Sequence, residues 1–316
     1  MESYIRAKNL YLQGAPSKLV VAELKKCLDW KEESFQDRVV NEWINHPLIQ
    51  KNGRDHNYET LVIRKYFDEL MMVDAYISDN FAMEYDRVHH KADEEGEYHY
   101  CYYPIPSTDE LIQVKLKKEF NCTAFKTWEA CFAFLEWVVD HEDQFHGKRI
   151  LEVGSGSGLC GQMIQCLIRD CSVVMSDYCA DVTEYILGNI EENKDVFTRL
   201  NTILPSVCVI DFCNFSEQMI REMKADYLIA TDVTFSPDLV DGLVKLITFA
   251  LKECALKKAY ICCTVRTADM FDRFQSRLEE NHLHFLLHPL EQKNVWYYDK
   301  YADIVLLEIT AVYGVC

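Results

Sequence analysis

The stretch "RILEVGSGSGLCG", from Arg149 to Gly161, opens with a short apolar run, passes through the acid Glu152 and breaks into glycines at 154, 156, 158 and 161. An apolar run of this length bounded by glycines reads as a buried strand, and the periodic segment from Leu159 reads as a helix. A strand, a bare turn and a helix make a ligand site: glycine allows tight turning and close approach of backbone to a bound molecule. Two cofactor patterns overlap here. Gly156, Gly158 and Gly161 satisfy GxGxxG, the dinucleotide pattern. Glu152, Gly154, Gly156 and Gly158 satisfy ExGxGxG, which starts on the acidic end of the strand. In the dinucleotide register the first glycine follows the strand directly; that is Gly154, and its last position is then Leu159, which fails. A carboxylate beside the turn also suits a cationic ligand and repels a pyrophosphate. The spacing therefore favours a sulfonium cofactor, S-adenosylmethionine.

Working outward, the chain alternates strand and helix from Lys126 onward. "TWEACFAFLEWVVDH" is predicted helical, "CSVVMSD" is a strand ending at Asp177, and "VTEYILGNIEEN" is a helix. "SVCVIDF" and "ADYLIATDV" are strands, "DLVDGLVKLITFALKE" is a helix and "KKAYICCTVR" a strand. "MFDRFQSRLEENH" is a helix, and "ADIVLLEITAVY" is a terminal strand reached through a long connection. This alternation implies an α/β fold: a Rossmann-like, mostly parallel sheet covered by helices on both faces. A carboxylate at the end of the second strand, Asp177, is placed to hold ribose hydroxyls or to cap the helix that follows.

From about residue 16 to 90 the chain has helical periodicity. "PSKLVVAELKKCLDW" and "SFQDRVVNEWINH" read as helices, broken at "HPLIQKNGRDH" by Pro47 and Gly53, and residues 58–81 read as one long helix. "YHYCYYPI" and "ELIQVKLKKEF", joined by "PSTD", read as a β-hairpin. The expected organisation is a helical N-terminal region over 1–94, a β-hairpin linker over 95–120 and a cofactor-binding domain over 121–316.

Composition narrows the function. The chain has 316 residues, 49% hydrophobic and 27% charged, with a formal net charge of -18. So acidic a chain disfavours nucleic acid and anionic membrane as partners, because both demand a basic surface. The 14 cysteines include no CxxC pair, and no HExxH occurs, so no metal is expected. Scattered cysteines suggest a reducing compartment. The start, "MESYIRAKNL", carries charges where a secretory segment is apolar, so a cytoplasmic protein is expected. "NCT" at Asn121 and "NFS" at Asn214 match the glycosylation pattern, which short stretches meet by chance.

"FKTWEA", "ILEVGSGSGLCG", "SDY", "VIDF" and "IATDVTF" follow one another as in the seven-strand class I methyltransferases that modify lysines in proteins, methyltransferase family 16, and the chain resembles that family. The D/E-x-x-Y/F motif after the fourth strand stands here as Asp232 to Phe235, and the tryptophan before the first helix of the domain as Trp128. "CTVRTADMF", "EQKNVWYYDKY" and the N-terminal "HPLIQK" are most similar to the members acting on elongation factor 2. The resemblance implies protein-lysine methylation of a folded protein, elongation factor 2 in particular, by a monomer, with another protein or a small molecule as the alternative acceptor.

Carried over by position, it implies that Trp128 packs near the cofactor, that Gly154, Ser155 and Gly156 line its methionine and ribose portions, and that Asp177 holds the ribose. Asp211 and Phe212 border the adenine, Thr231 follows the fourth strand, and Asp232 orients the acceptor amine with Phe235 as one wall. Phe235 has no phenol hydroxyl, and Phe212 stands where relatives often carry tryptophan. Trp296, Tyr297 and Tyr298 are candidates for further walls of the acceptor slot, or for plain packing at the sheet edge.

Overall fold

The computed structural model describes residues 2–90, 96–118 and 123–311. The expected boundaries at 94/95 and 120/121, and the NCT stretch at Asn121, lie outside the described residues. The chain forms two compact units. One is built from the chain up to Pro104 and the stretch that begins at Gln113; the other from Ile105–Ile112 and the chain beyond position 120.

The first unit is helical: α1 (Glu2–Gln13), α2 (Ser17–Leu24), α3 (Glu33–Val39), α4 (Pro47–Asn52), α5 (His56–Met72) and α6 (Asp79–His90), followed by the hairpin strands β1 (Tyr98–Pro104) and β2 (Leu111–Lys117). Three expectations need correction. The opening segment is itself a helix, α1, which buries Tyr4, Ala7, Tyr11 and Leu12. Pro47 starts a helix rather than breaking one, because proline at the first helical position gives up an N–H that has no partner there. The long helix over 58–81 is two helices, parted at Asp74, whose φ of 53° leaves the right-handed helical region. Arg54 sits over the rings of Tyr11 and Tyr58 and donates to the Tyr11 and Leu12 carbonyls, so its charge is held by the end of α1.

The second unit carries a seven-stranded sheet: β3 (Arg149–Val153), β4 (Ser172–Asp177), β5 (Ser206–Val209), β6 (Tyr227–Thr231), β7 (Lys258–Thr264), β8 (Leu283–His288) and β9 (Ile304–Ala311), in the order β5-β4-β3-β6-β7-β9-β8. β3 to β7 are parallel, and β9 is inserted antiparallel between β7 and β8. The central strands are buried nearly end to end, as parallel strands covered on both faces must be. β8 was not foreseen. As an edge strand it is half exposed, and the sequence reading ends the preceding helix at His282 and assigns no element to "LHFLLH". β5 ends at Val209, so Asp211 and Phe212 lie in a turn beyond the sheet rather than on it.

Helices α7 (Glu129–Asp140), α8 (Leu159–Leu167), α9 (Ala180–Glu192), α10 (Lys194–Arg199), α11 (Glu217–Met223), α12 (Pro237–Glu253) and α13 (Ala268–Glu280) cover the sheet. The face under α12 is aliphatic, with Leu151, Leu228, Ile261 and Leu307 meeting Leu243, Val244 and Ile247. The region around α7 is aromatic: Trp137, Phe145 and Tyr227 lie 5.3, 5.6 and 5.6 Å from the Tyr260 ring. No helix among the described residues is long and apolar enough to cross a membrane.

Winding from β3 through β4 to β5 runs one way along the sheet, and β6 then returns to pair with the other side of β3. Loops diverge at such a reversal and leave a crevice at the carboxyl ends of the strands. The segment between β8 and β9 is pinned elsewhere. Glu136, 1% exposed on α7, accepts the N–H groups of Lys293 and Val295 at 2.7 Å each, and the Tyr298 hydroxyl at 3.1 Å. Replacing Glu136 by Ala leaves these donors without their acceptor, the Tyr298 hydroxyl among them buried, and is expected to cost about 3 kcal/mol. Urea denaturation of variant and parent checks this, and a loss under about 1 kcal/mol would show that water replaces the carboxylate.

Candidate functional site

The crevice at the reversal is a cleft of about 150 Å³, walled by the turn after β3, the ends of β4 and β6, the turn after β5 and the segment that leads into α7. Of the residues singled out from sequence, Trp128, Gly154, Ser155, Gly156, Asp177, Asp211, Phe212, Thr231, Asp232 and Phe235 all line it. Glu152 and Gly158 do not.

The turn is held by its own backbone. Ser155 N–H donates to the Ser176 carbonyl at 2.9 Å, and Ser176 Oγ donates to the Glu152 carbonyl at 2.7 Å. Gly156 N–H donates to Asp177 Oδ2 at 2.9 Å, and Tyr178 N–H donates to Oδ1 at 2.8 Å. The carboxylate of Asp177 thus joins the turn to the end of β4, yet each oxygen keeps a lone pair for a ligand. Burial raises its pKa above the ordinary value, and the two N–H groups work against that rise.

The glycines serve packing as much as ligand approach. Gly154 has φ +68°, and a Cβ there would meet Val233 Cγ1 at 2.4 Å. A Cβ on Gly161 would meet Met175 Sδ at 2.4 Å and Glu152 Oε2 at 2.6 Å, so α8 lies against β4 only because that side chain is missing. Gly158 caps α8 with a left-handed backbone at φ 76° and lies away from the cleft. The bare run therefore lets turn, helix and sheet close on each other, which spacing alone did not distinguish from making room for a ligand.

Glu152 corrects a second expectation. Its carboxylate does not face the cleft. It is 1% exposed beneath the turn, and Oε2 has no hydrogen-bond partner. Burial pushes its pKa up to about 7; contacts with Ser155, Cys160 and the Gly161 N–H offset part of that, and the charge of Asp177 adds to it.

Asp232 is the most constrained group. Its φ is 55°, in the left-handed region that few non-glycine residues adopt. Its N–H donates to the Cys262 carbonyl at 2.9 Å. Oδ1 accepts from Thr264 N–H at 2.8 Å; Oδ2 accepts from Ala130 N–H at 3.1 Å and from Thr264 Oγ1 at 3.2 Å. The carboxylate thus satisfies a free N–H in the first turn of α7 and ties β6 to β7. One lone pair remains for a group in the cleft. Phe235, three residues on, is 58% exposed at the rim.

The segment before α7 forms a wall that sequence had marked only at Trp128. Thr127 Oγ1 and Ser157 Oγ lie 2.7 Å apart, and Trp128 Nε1 donates to the Thr123 carbonyl at 3.0 Å. Tyr178, Cys131 and Cys160 also line the cleft. Tyr178 directly follows the ribose candidate and was within reach of sequence reasoning. The two cysteines come from helices whose mutual rotation no local pattern gives. The proposed aromatic slot does not form: Trp296 and Tyr298 are buried against α7 by the Glu136 contacts and do not line the cleft. No group of side chains among the described residues has the makings of a metal site.

A family described as lysine methyltransferase (methyltransferase family 16) matches residues 108–281. Protein-lysine N-methyltransferase EEF2KMT of Homo sapiens is 24% identical over 200 residues, and the match spans 60% of this chain and 60% of that protein. The protein of the same name from Bos taurus is 22% identical over 332 aligned positions, covering 95% of this chain and 96% of that protein. Calmodulin-lysine N-methyltransferase of Arabidopsis thaliana is 29% identical over 156 residues, 49% of each chain.

Glu152 generates a stability prediction. Its folded pKa of about 7 lies above its ordinary value of 4.5, so its contribution to stability is fully present below about pH 4.5 and is lost as pH rises through about 7. Glu152→Gln is therefore expected to stabilise the protein at pH 8 by as much as about 3 kcal/mol and to change little at pH 5. Thermal denaturation of parent and variant at both pH values checks this; equal shifts at the two would show that Glu152 does not titrate in this range.

Proposed function

Since this chain belongs to the lysine methyltransferase family, we propose that it transfers methyl groups from S-adenosylmethionine to a lysine of a folded protein, with elongation factor 2 as the favoured acceptor. The observation that carries this reading is the pairing of Asp177 and Asp232 in one cleft, the first at the end of β4 against the glycine turn and the second at the end of β6. One carboxylate is available to the nucleoside end of a ligand and the other to an incoming amine.

The fit to the cofactor rests on charge and shape. The lining side chains include Asp177, Asp211 and Asp232 against the single cation Lys126. That balance suits a sulfonium bearing an ammonium and opposes a pyrophosphate. Bound there, S-adenosylmethionine supplies a methyl group on sulfonium sulfur, and its loss leaves a neutral thioether that needs no acid. Asp177 would accept the ribose hydroxyls through its free lone pairs. Phe212, 7% exposed at the cleft wall, offers an apolar face to the adenine. Trp128, Ser155 and Thr231 complete the walls around the cofactor.

The harder task is the acceptor. A lysine amine has a pKa of about 10.4 and is almost wholly protonated at neutral pH. The nitrogen lone pair must attack the methyl carbon as the carbon–sulfur bond breaks, and the amine proton passes to water. Asp232 supports the orientation step with its remaining lone pair, and Phe235 supplies an apolar wall that also attracts methylammonium. Asp232 is held by three donors before any substrate arrives, so its geometry is fixed in advance.

We also infer a cytoplasmic monomer with no nucleic-acid or membrane partner. Free cysteines at every described position and the net charge of -18 support that setting.

The test is methyl transfer from labelled S-adenosylmethionine to purified elongation factor 2. Label in one lysine peptide is expected. Asp177→Ala should weaken S-adenosylhomocysteine binding about a hundredfold, the loss of two hydrogen bonds to a charged acceptor. Asp232→Asn should retain that binding and lower transfer at least tenfold. Unlabelled elongation factor 2 with tight cofactor binding would redirect the search to another protein or a small molecule; absence of binding would refute the cofactor.

A further inference from the structure

A second cavity, of about 210 Å³, adjoins the cleft and shares Asp232 and Phe235 with it. It lies between the end of β7 and the first turn of α13, with Thr264, Arg266 and Phe271 among its walls. Arg266 sits at an unusual place for a cation. Its guanidinium lies 5.1 Å from the centre of the Trp128 ring, which lines the first cleft. Arg266 therefore bridges the walls of the two cavities.

Among the described residues no anion pairs with this guanidinium. Other cations of this unit are paired: Arg273 and Arg277 to Asp241, Lys258 to Glu308, and Lys293 to Asp140. Among the described residues Arg266, which is exposed, has no carboxylate partner and donates no hydrogen bond; its guanidinium lies over the Trp128 ring. The contact with the ring uses none of its N–H groups, and the fork they form matches a carboxylate in two parallel hydrogen bonds. In a protein of net charge -18 an unpaired, pre-oriented arginine is set against the general field of the surface.

We propose that the second cavity receives the acceptor lysine and that Arg266 selects a target in which an Asp or Glu lies next to that lysine, an inference that rests on the lysine-methylation reading above. The lysine stem runs along Phe235 toward Asp232, and the adjacent acid pairs with the guanidinium at the rim. The same positive charge disfavours the ammonium form of the incoming lysine, which is the form that cannot accept a methyl group. Arg266 is a specificity-determining residue here and takes no part in the bond changes.

The experiment uses the full chain with labelled S-adenosylmethionine and a panel of lysine peptides flanked by Glu, Gln or Lys. Parent, Arg266→Ala and Arg266→Glu are compared, with S-adenosylhomocysteine affinity as the control for an intact cleft. The parent is expected to favour the Glu-flanked peptide over the Gln-flanked one about tenfold in kcat/KM, chiefly through KM. Arg266→Ala should abolish that preference, and Arg266→Glu should shift it to the Lys-flanked peptide, both with unchanged cofactor affinity. Labelling of all peptides alike by the parent, or the same preference in all three proteins, would overturn the inference and leave lysine methylation standing. Labelling of a protein acceptor but of no peptide would also overturn it, because a rim contact of this kind needs only the residues beside the lysine. Cofactor binding without transfer to any peptide or protein would remove both readings.

Discussion

Three structural elements meet at the carboxylate of Asp232. It accepts from the first turn of α7, from the backbone of Thr264 at the end of β7 and from the Thr264 hydroxyl, while its own N–H reaches back to β7. β6 therefore cannot end with an ordinary turn. The left-handed backbone at Asp232 is held because the contacts on either side over-determine it. The cleft depends on this junction, since Trp128 sits immediately before α7, while Thr231 and Phe235 flank Asp232. A residue so tied has little freedom to move during turnover, which suits orientation of a nucleophile better than shuttling of protons.

The other buried carboxylates differ from Asp232 in how many donors they meet, and the differences track their surroundings. Glu136 meets the backbone of the β8–β9 connection and the Tyr298 hydroxyl, which suits a structural anchor. Asp177 meets two N–H groups and opens onto the cleft. Glu152 has an oxygen without a partner, and its pKa rises to about 7. A buried acid without enough donors destabilises the folded chain when it ionises, and a cationic ligand nearby offsets that cost.

The fold was legible in the sequence because it rests on local rules, and most of the cleft because its residues match the motifs of the family that the chain resembles. Alternating periodicity gave the parallel strands and their helices, and the turn after β3 fell where winding reverses. Asp177 is legible because strand ends carry the ligands in such sheets, whereas Thr231 and Asp232 are picked out by the resemblance to the lysine methyltransferases. The misreadings have a common cause. β8 is a short, half-exposed edge strand whose burial does not alternate from one residue to the next, and the α5–α6 break at Asp74 carries no proline or glycine. Glu152 was placed by spacing at the ligand, yet its side chain turns beneath the loop, since spacing gives position along a chain and not the direction of a rotamer.

By itself the sequence determined the strand–turn–helix at Arg149 to Gly161, the identity of the residues at the strand ends and the acidic character of the surface. These follow from periodicity, glycine placement and charge, which act over a few residues. Only the tertiary structure decided that Glu136 would claim the "KNVWYY" segment and keep its aromatics out of the cleft. It alone set Arg266 on Trp128, 138 positions earlier in the chain, and brought Ala130 and Thr264 onto one carboxylate. Contacts at such separation depend on how helices rotate and loops close when the core packs, and no local pattern carries that information.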